Sequence, residues 1–315
     1  MAAILVIKHG ALGDVVMATG AMRAIRAHHQ ADRLTLLTTA RYAPLLEGSG
    51  WFDAIWLDDR PTLARPQALW RLRGRLAGGG FARVYDLQTS ERTALYFRIW
   101  PRPRPEWVGI APGCSHPHTD PERDRLHGTD RLAGQLATVG IRDVPPPSLA
   151  FLDADLSAFA LPPRVAVLVP GSSPHRPEKR WPAEHYAALA QLLHAAGLEP
   201  VLVGGPAEAG IIETIRRGCP AAIDLGGRTD LAQLAALGRH ARLAVGNDTG
   251  PMHVLAAAPC PALTLFGAAS EPRQCAPAGP ASTWLREADL AALPVERVWD
   301  MLVARGLTGP DALAS

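Results

Sequence analysis

Short apolar runs alternate with longer stretches of helical periodicity along most of the chain. Residues 3–8 are the first apolar run, and residues 15–28 carry Val15, Val16, Ala18, Met22 and Ile25 on one helical face. The same alternation predicts strands over 34–38, 54–57, 83–87 and 107–110, with helices over 43–47, 66–76 and 91–99 between them. A second series starts with an apolar strand at 165–169. It continues as helix 184–196, strand 200–203, helix 209–217, strand 221–224, helix 231–237, strand 241–245, helix 252–258 and strand 262–266, and it ends in an apolar helix near 294–305. Strands alternating with helices of this length predict an α/β chain whose parallel sheets carry helices on both faces. Residues 142–163 interrupt the pattern with Pro145-Pro-Pro147 and Pro162-Pro163 and read as the linker between two such domains. The expected division is 1–155, 156–290, and a terminal segment 291–315.

Composition narrows this picture. The chain has 315 residues, 48% hydrophobic and 20% charged, as in a soluble globular protein with room for two domains. No apolar run is long enough to cross a bilayer, and the run from Ala2 to Ile7 is too short for a signal peptide and ends at once in Lys8 and a glycine turn. Cys114, Cys219, Cys260 and Cys275 form no Cys-x-x-Cys pair, which argues for a reducing, cytoplasmic setting and against a structural zinc site. A formal net charge of +2 provides no global field for nucleic acid. Arginine is abundant, yet Lys8 and Lys179 are the only lysines. They are chance survivors of a compositional bias, or they stand where a compact ammonium is needed and a planar guanidinium does not fit.

Candidate chemistry sits in the turns after the predicted strands. In Lys8-His-Gly-Ala-Leu-Gly-Asp14, Gly10 and Gly13 flank the turn and Asp14 stands at the helix start. The turn lacks the Gly-x-Gly-x-x-Gly dinucleotide fingerprint. Asp14 is either a first-turn acid on the helix dipole or a carboxylate at a strand's C-terminal edge, where open α/β sheets bind ligands. Asp86-Leu-Gln-Thr-Ser90, with Gln88, closes a second strand. Pro170-Gly-Ser-Ser-Pro174 offers backbone N–H groups and the hydroxyls of Ser172 and Ser173, and Lys179 follows as a mobile cation, a plausible diphosphate clamp. Gly205-Pro-Ala-Glu208 aims an acid that suits a ribose, or one that only meets its own helix dipole. Val245-Gly-Asn-Asp-Thr-Gly-Pro-Met-His253 places Asp248, Thr249 and Gly250 at a helix N-terminus able to hold an anion. Its glycines are expected to allow φ > 0 and close approach of a ligand, and the plainer account of Asp248 or Thr249 is helix capping.

Two further stretches are weaker. Arg60, Arg65, Arg71, Arg73, Arg75, Arg98, Arg102 and Arg104 read first as a solvated basic face, and otherwise as a patch for an acidic acceptor or an anionic membrane surface. The tract Cys114-Ser-His-Pro-His-Thr-Asp120 with His127 has the residue types of a metal site at no standard spacing, so no metal is expected.

Three pieces in order, Gly-Asp-Val at 13–15, Lys-Arg-Trp-Pro-Ala-Glu-His at 179–185 and Asp-Thr-Gly-Pro-Met-His at 248–253, resemble glycosyltransferase family 9, the ADP-heptose:lipopolysaccharide heptosyltransferases. The resemblance covers about residues 3–270 and is weakest over 100–163. It implies a GT-B fold of two Rossmann-like domains facing across a cleft, acceptor on the first and nucleotide sugar on the second, with a last helix crossing back onto the first. It implies an inverting transfer of heptose from ADP-heptose to a lipopolysaccharide-core or related glycan, without metal or cofactor. On the same resemblance Asp14 is the general base and Lys179 meets the phosphates together with Ser172, Ser173, Thr249 and Gly250. Asp248 lies near the donor sugar and Glu208 on the ribose, while Lys8, Gly13, Gln88 and His127 support the base or the acceptor side. The expected partners are the donor and a glycolipid or glycan acceptor, with peripheral contact at the cytoplasmic face of the inner membrane and no nucleic acid. Pro170-Gly-Ser-Ser stands where some members have a threonine pair, and His175-Arg-Pro-Glu where others have acids. The alternatives are another GT-B sugar-nucleotide enzyme, such as a hydrolysing epimerase, which would want more acid/base groups than Asp14 and Asp248, and a non-catalytic scaffold that binds donor without turnover.

Overall fold

The structure is a computed structural model that describes residues 1–173 and 175–309, so Pro174 and the end of the terminal segment, 310–315, lie outside the described residues. The chain divides into two compact units, Met1–Pro147 and Ser148–Ser315.

In the first unit β1 (Ala3–Ile7) leads into α1 (Leu12–Met17) and α2 (Thr19–His28). There follow β2 (Arg33–Thr38), α3 (Ala43–Glu47), β3 (Ala54–Leu57), α4 (Pro66–Gly78), β4 (Phe81–Asp86), α5 (Glu91–Ile99), β5 (Glu106–Gly109), the two-residue β6 (His116–Pro117) and α6 (Gly128–Ala137). The helix predicted over 15–28 is two, beginning at Leu12 and parted at Ala18. Helix α6 was not predicted, because Gly128, Gly134 and the buried Gln135 blur its apolar face. The strands form one parallel sheet in the order β3-β2-β1-β4-β5-β6. Its continuous apolar centre, Ile4 to Ile7 at 2% exposure or less, is what a strand covered on both faces requires. The chain reverses direction across the sheet between β1 and β4, so a crevice opens at the C-terminal ends of those strands. One face packs Leu5, Ile7, Leu72, Leu76, Tyr96 and Trp107 into a common core.

The second unit runs β7 (Val165–Val169), α7 (Ala183–Ala195), β8 (Glu199–Leu202), α8 (Ala209–Gly218), β9 (Ile223–Asp224), α9 (Leu231–His240), β10 (Leu243–Asn247), α10 (Gly250–Ala257), β11 (Ala262–Phe266), α11 (Pro272–Cys275), β12 (Ser282–Arg286) and α12 (Val295–Ala304). The sheet order is β12-β11-β10-β7-β8-β9, all parallel, and it reverses between β10 and β7. Strand β12 was not predicted. It is an edge strand that buries Leu285 and leaves Trp284 exposed, so its apolar signal is half-strength.

Two expectations about the domain limits are corrected. Much of the predicted linker is packed: Leu149 and Leu152 are buried, the Leu149 N–H donates to the Ala257 carbonyl at 3.0 Å, and Arg239 donates to the Leu152 carbonyl at 2.6 Å. The terminal helix, expected to pack on the first domain, contributes Val295, Val298 and Leu302 to the core of the second, beside α7. The Trp181 indole N–H donating to the Leu293 carbonyl at 2.9 Å holds its approach there.

Candidate functional site

The switch point of the first sheet carries a carboxylate in a cationic cleft. Strand β1 is followed by Lys8, which is 6% exposed and whose ammonium donates to the Leu87 carbonyl at 3.0 Å. Burial pulls its pKa down, Asp14 and Asp86 oppose this, and Arg131 and Arg123 add to the lowering. The turn then passes through Gly10 at φ +136°, where a Cβ would run into the Tyr42 ring, so only glycine serves. Asp14 follows in the first turn of α1, and one of its oxygens accepts the Ala11 N–H at 3.0 Å. The capping account of Asp14 therefore holds for that oxygen. Yet Asp14 also lines a cleft of about 350 Å³ with Lys8, Gln88, Thr89, Arg123 and Arg131.

The second strand of the switch point completes this cleft. Asp86 closes β4 with its Oδ1 accepting the N–H groups of Gln88 (3.1 Å) and Thr89 (3.0 Å). Thr89 is held at φ +46°, an uncommon conformation for a β-branched residue, and its hydroxyl accepts from Arg123 at 2.9 Å. The Gln88 carbonyl oxygen accepts the His9 N–H at 2.8 Å and locks the two turns together. Burial drives the Asp86 carboxyl up to about 6, against the pull of the Thr89 N–H, the Thr93 hydroxyl and the Gln88 N–H. Arg123 and Arg131 were missed in the sequence because they precede and occupy a helix that was itself unrecognised.

At the switch point of the second sheet, Lys179 and Asp248 meet at 2.6 Å. Trp181 is the anchor that makes this possible. It is 1% exposed, its backbone N–H donates to Asn247 Oδ1 at 3.0 Å, and its ring packs on Tyr186. With Trp181 fixed, the single 3-10 turn Pro177–Lys179 delivers the ammonium toward the end of β10. Asp248 Oδ2 also accepts the Ser270 hydroxyl at 2.6 Å. Asp248 thus bonds across the site instead of capping α10, and Thr249, the N-cap residue, makes no side-chain cap bond either. The first turn of α10, opening at Gly250, carries no cap bond from the Thr249 side chain, and a helix N-terminus of this kind can receive an anion.

Neighbouring turns frame that position. Ser172 is buried and its hydroxyl accepts from Arg180 at 3.0 Å while donating to the Arg176 carbonyl at 3.0 Å. Ser173 is exposed, and its carbonyl accepts the Arg176 N–H at 2.9 Å. Glu208 is buried beneath the glycines that end β7 and β8, with one oxygen accepting the Gly205 N–H at 2.8 Å. A Cβ on Gly171 would stand 2.6 Å from Glu208 Cγ, so the glycine is what admits the glutamate.

The structure thus gathers Lys8, Asp14 and Gln88 in the first unit, with Gly13 inside α1, and Lys179, Asp248, Thr249 and Gly250 in the second, with Ser172 and Glu208 in the flanking turns. His127 stands apart as the N-cap of α6, its ring accepting the Thr129 N–H at 3.3 Å. The Cys114–His127 tract is dispersed: Cys114 packs in the core, His116 lies by Glu106 and His118 against α6. The expected φ > 0 at the 246–250 turn is not found, since Gly246 ends a strand and Gly250 begins a helix; a Cβ on Gly246 would lie 2.6 Å from both Met252 Sδ and Val169 Cβ. Packing, not ligand approach, requires that glycine. Asn247, missed in the sequence, is fully buried and ties the site together. Its Oδ1 accepts from Trp181 N–H and Tyr186 O–H, and its Nδ2 donates to the Pro170 carbonyl at 2.8 Å.

The profile of glycosyltransferase family 9 (heptosyltransferase) matches residues 143–297. Lipooligosaccharide heptosyltransferase 2 of Haemophilus ducreyi is 41% identical over 101 residues, 30% of this chain and 29% of that protein. The chain spans 27% to 33% of the length of the curated relatives it matches. A glycosyl transferase family 9 protein of Veillonella parvula superposes with a TM-score of 0.83 at 22% identity, over 98% of this chain and 97% of that one. The E. coli ADP-heptose LPS heptosyltransferase II does so at 0.75 and 22%, over 97% and 98%. At such identity the likeness is one of fold, two Rossmann-like parallel-sheet units of the GT-B kind. Residues 143–297, the stretch that carries Lys179 and Asp248, are thus similar to glycosyltransferase family 9 (heptosyltransferase).

Proposed function

We propose that this protein transfers a heptose from ADP-heptose to a hydroxyl of a lipopolysaccharide-core or related glycan, in one inverting displacement that uses no metal ion or cofactor. The observation that carries the reading is the Lys179–Asp248 pair beside the uncapped N-terminus of α10, inside the stretch that matches the family. In this reading Lys179 turns from Asp248 to the donor diphosphate, where negative charge grows as the sugar bond breaks. Asp248, released, meets the sugar hydroxyls, and Glu208 with Ser172, Ser173, Thr249 and Gly250 receives the rest of the nucleotide. Asp14 removes the proton of the acceptor hydroxyl as its oxygen attacks the anomeric carbon. Lys8, Arg123 and Arg131 share the cleft with Asp14 and hold an acidic group of the acceptor, with Gln88, Gly13 and His127 shaping the turn and helix around it. In the same reading the acceptor is reached by peripheral contact at the cytoplasmic face; among the described residues no helix is long and apolar enough to cross a membrane.

The test is transfer from ADP-heptose to heptose-deficient core acceptors, with and without EDTA. Asp14→Asn should lower kcat by about 10²–10⁴-fold, the range of general base catalysis, while ADP affinity stays within a few-fold. Lys179→Ala should weaken both ADP binding and turnover. Near-normal turnover in Asp14→Asn would remove it from the base role, and loss of activity on chelation would contradict the metal-free mechanism. Preference for UDP or GDP would change the donor.

A further inference from the structure

We infer that the outer face of α4 and the loop before it form a docking surface for a bilayer rich in anionic lipid. In the first unit the large hydrophobic side chains left exposed, besides Met1, are Leu57 (46%), Leu63 (72%) and Trp70 (65%), and all three belong to this one region. Helix α4 sends only Leu72 and Leu76 into the core. Its other apolar residues, Pro66, Leu69 and Trp70, line an open groove of about 340 Å³ with Leu63, Arg73 and Ile99. Leu63 also borders a second hollow of about 600 Å³ beside Arg92 and Arg98, so the apolar ridge continues from α4 onto α5.

The charge around this ridge is mostly positive. Arg60, Arg65, Arg71, Arg75, Arg98 and Arg102 are exposed, and α4 contains three arginines and no acid. The exposed acids of these loops are Asp59 and Glu91. Asp58 is spent internally, accepting from Tyr96 at 2.7 Å and pairing with His9 at 2.8 Å. Arg73 stacks over the Trp70 ring at 5.0 Å and donates to the Ile99 carbonyl at 2.9 Å, which holds the indole outward. An aromatic body flanked by arginines matches the level of lipid head groups, where the ring enters the interface and the guanidinium groups reach phosphates. A solvated basic face would need no Leu63 or Trp70.

The position of the surface also fits. The loop 58–65 leaves the C-terminal end of β3, the same sheet edge on which β1 delivers Asp14 and β4 delivers Gln88. A bilayer met by Leu63 would therefore lie toward the edge that holds the base. The inference does not depend on which sugar is transferred, and it stands or falls apart from the transfer assay.

The experiment is flotation of the full chain with vesicles of phosphatidylethanolamine and phosphatidylglycerol, against vesicles of phosphatidylcholine alone. Expected is at least tenfold more protein on the anionic vesicles at low salt. The double variant Leu63→Ser/Trp70→Ser should lose that enrichment at least tenfold, and Arg71→Glu/Arg98→Glu should lose it likewise, with ADP binding and thermal unfolding of both unchanged. Absence of wild-type enrichment, equal flotation of the variants, or a dimer in light scattering that Leu63→Ser/Trp70→Ser dissociates would each overturn the inference, the last by making this face an interface between two copies.

Discussion

Asp86 shows how one buried side chain shapes the candidate base's surroundings without lining the cleft. Its carboxyl, raised from 3.8 to about 6 mainly by burial, holds a proton in the native state that the unfolded chain releases earlier. Between about pH 4 and 6 the native state binds more protons at this group, so its contribution to stability falls as pH rises through that window. Asp86→Asn keeps the acceptor for the Gln88 and Thr89 N–H groups and removes the titration. Urea unfolding should show the variant gaining on the wild type between pH 4 and 7 by up to about 3 kcal/mol, at roughly 1.4 kcal/mol per pH unit, then holding level. A difference independent of pH would mean that Asp86 does not titrate there. Lys8 is the companion case. Its ammonium is disfavoured by burial, so Lys8→Met should leave stability within about 1 kcal/mol or raise it, while turnover falls because the cleft around Asp14 loses a cation. A variant with unchanged kcat would make Lys8 structural.

At the scale of elements, the donor side depends on the spacing of β7, β10 and α10. Gly246→Ala would push a Cβ against Val169 Cβ and Met252 Sδ, both 2.6 Å away, and the first of these cannot yield without moving a strand. Overpacking of this kind costs about 1–3 kcal/mol. Thermal unfolding should fall accordingly, and a stable variant would show that β7 and β10 can part. Asn247→Leu is the harsher change. It leaves the Trp181 N–H and the Pro170 carbonyl without their partner and the Tyr186 hydroxyl with only the Val169 carbonyl at 3.4 Å, at about 1–3 kcal/mol for each unsatisfied group. Because Trp181 positions Lys179, ADP affinity should drop along with stability. Affinity that survives the loss of stability would separate the anchor from the lysine.

At the scale of the molecule, each unit has its own sheet, its own reversal of strand order and its own core. One core cluster of the second is built from residues of β7 through α12, including the terminal helix. Residues 148–315 expressed alone should therefore unfold cooperatively in urea and bind ADP within about tenfold of the full chain. A fragment that is unfolded, or folded yet blind to ADP, would show that the first unit is needed to complete the nucleotide site.

The sequence by itself determined the two-domain α/β plan and the turns that matter, because strand and helix periods and glycine punctuation are local signals. The turns holding Asp14, Gln88, Ser172, Glu208 and Asp248 were found that way, and the lysine pair stood out by composition. Tertiary structure alone decided the rest. A periodic pattern says which face of an element is apolar, but not which element covers it. Hence α12 could be assigned to the wrong unit, and the half-buried β12 escaped notice. Strand order, which turns neighbouring loops into one site, comes only from pairing between distant segments. So does the value of a buried polar side chain: nothing near Asn247 in the sequence shows that Trp181, Tyr186 and Pro170 meet on it, and nothing near Arg123 and Arg131 shows that they face Asp14.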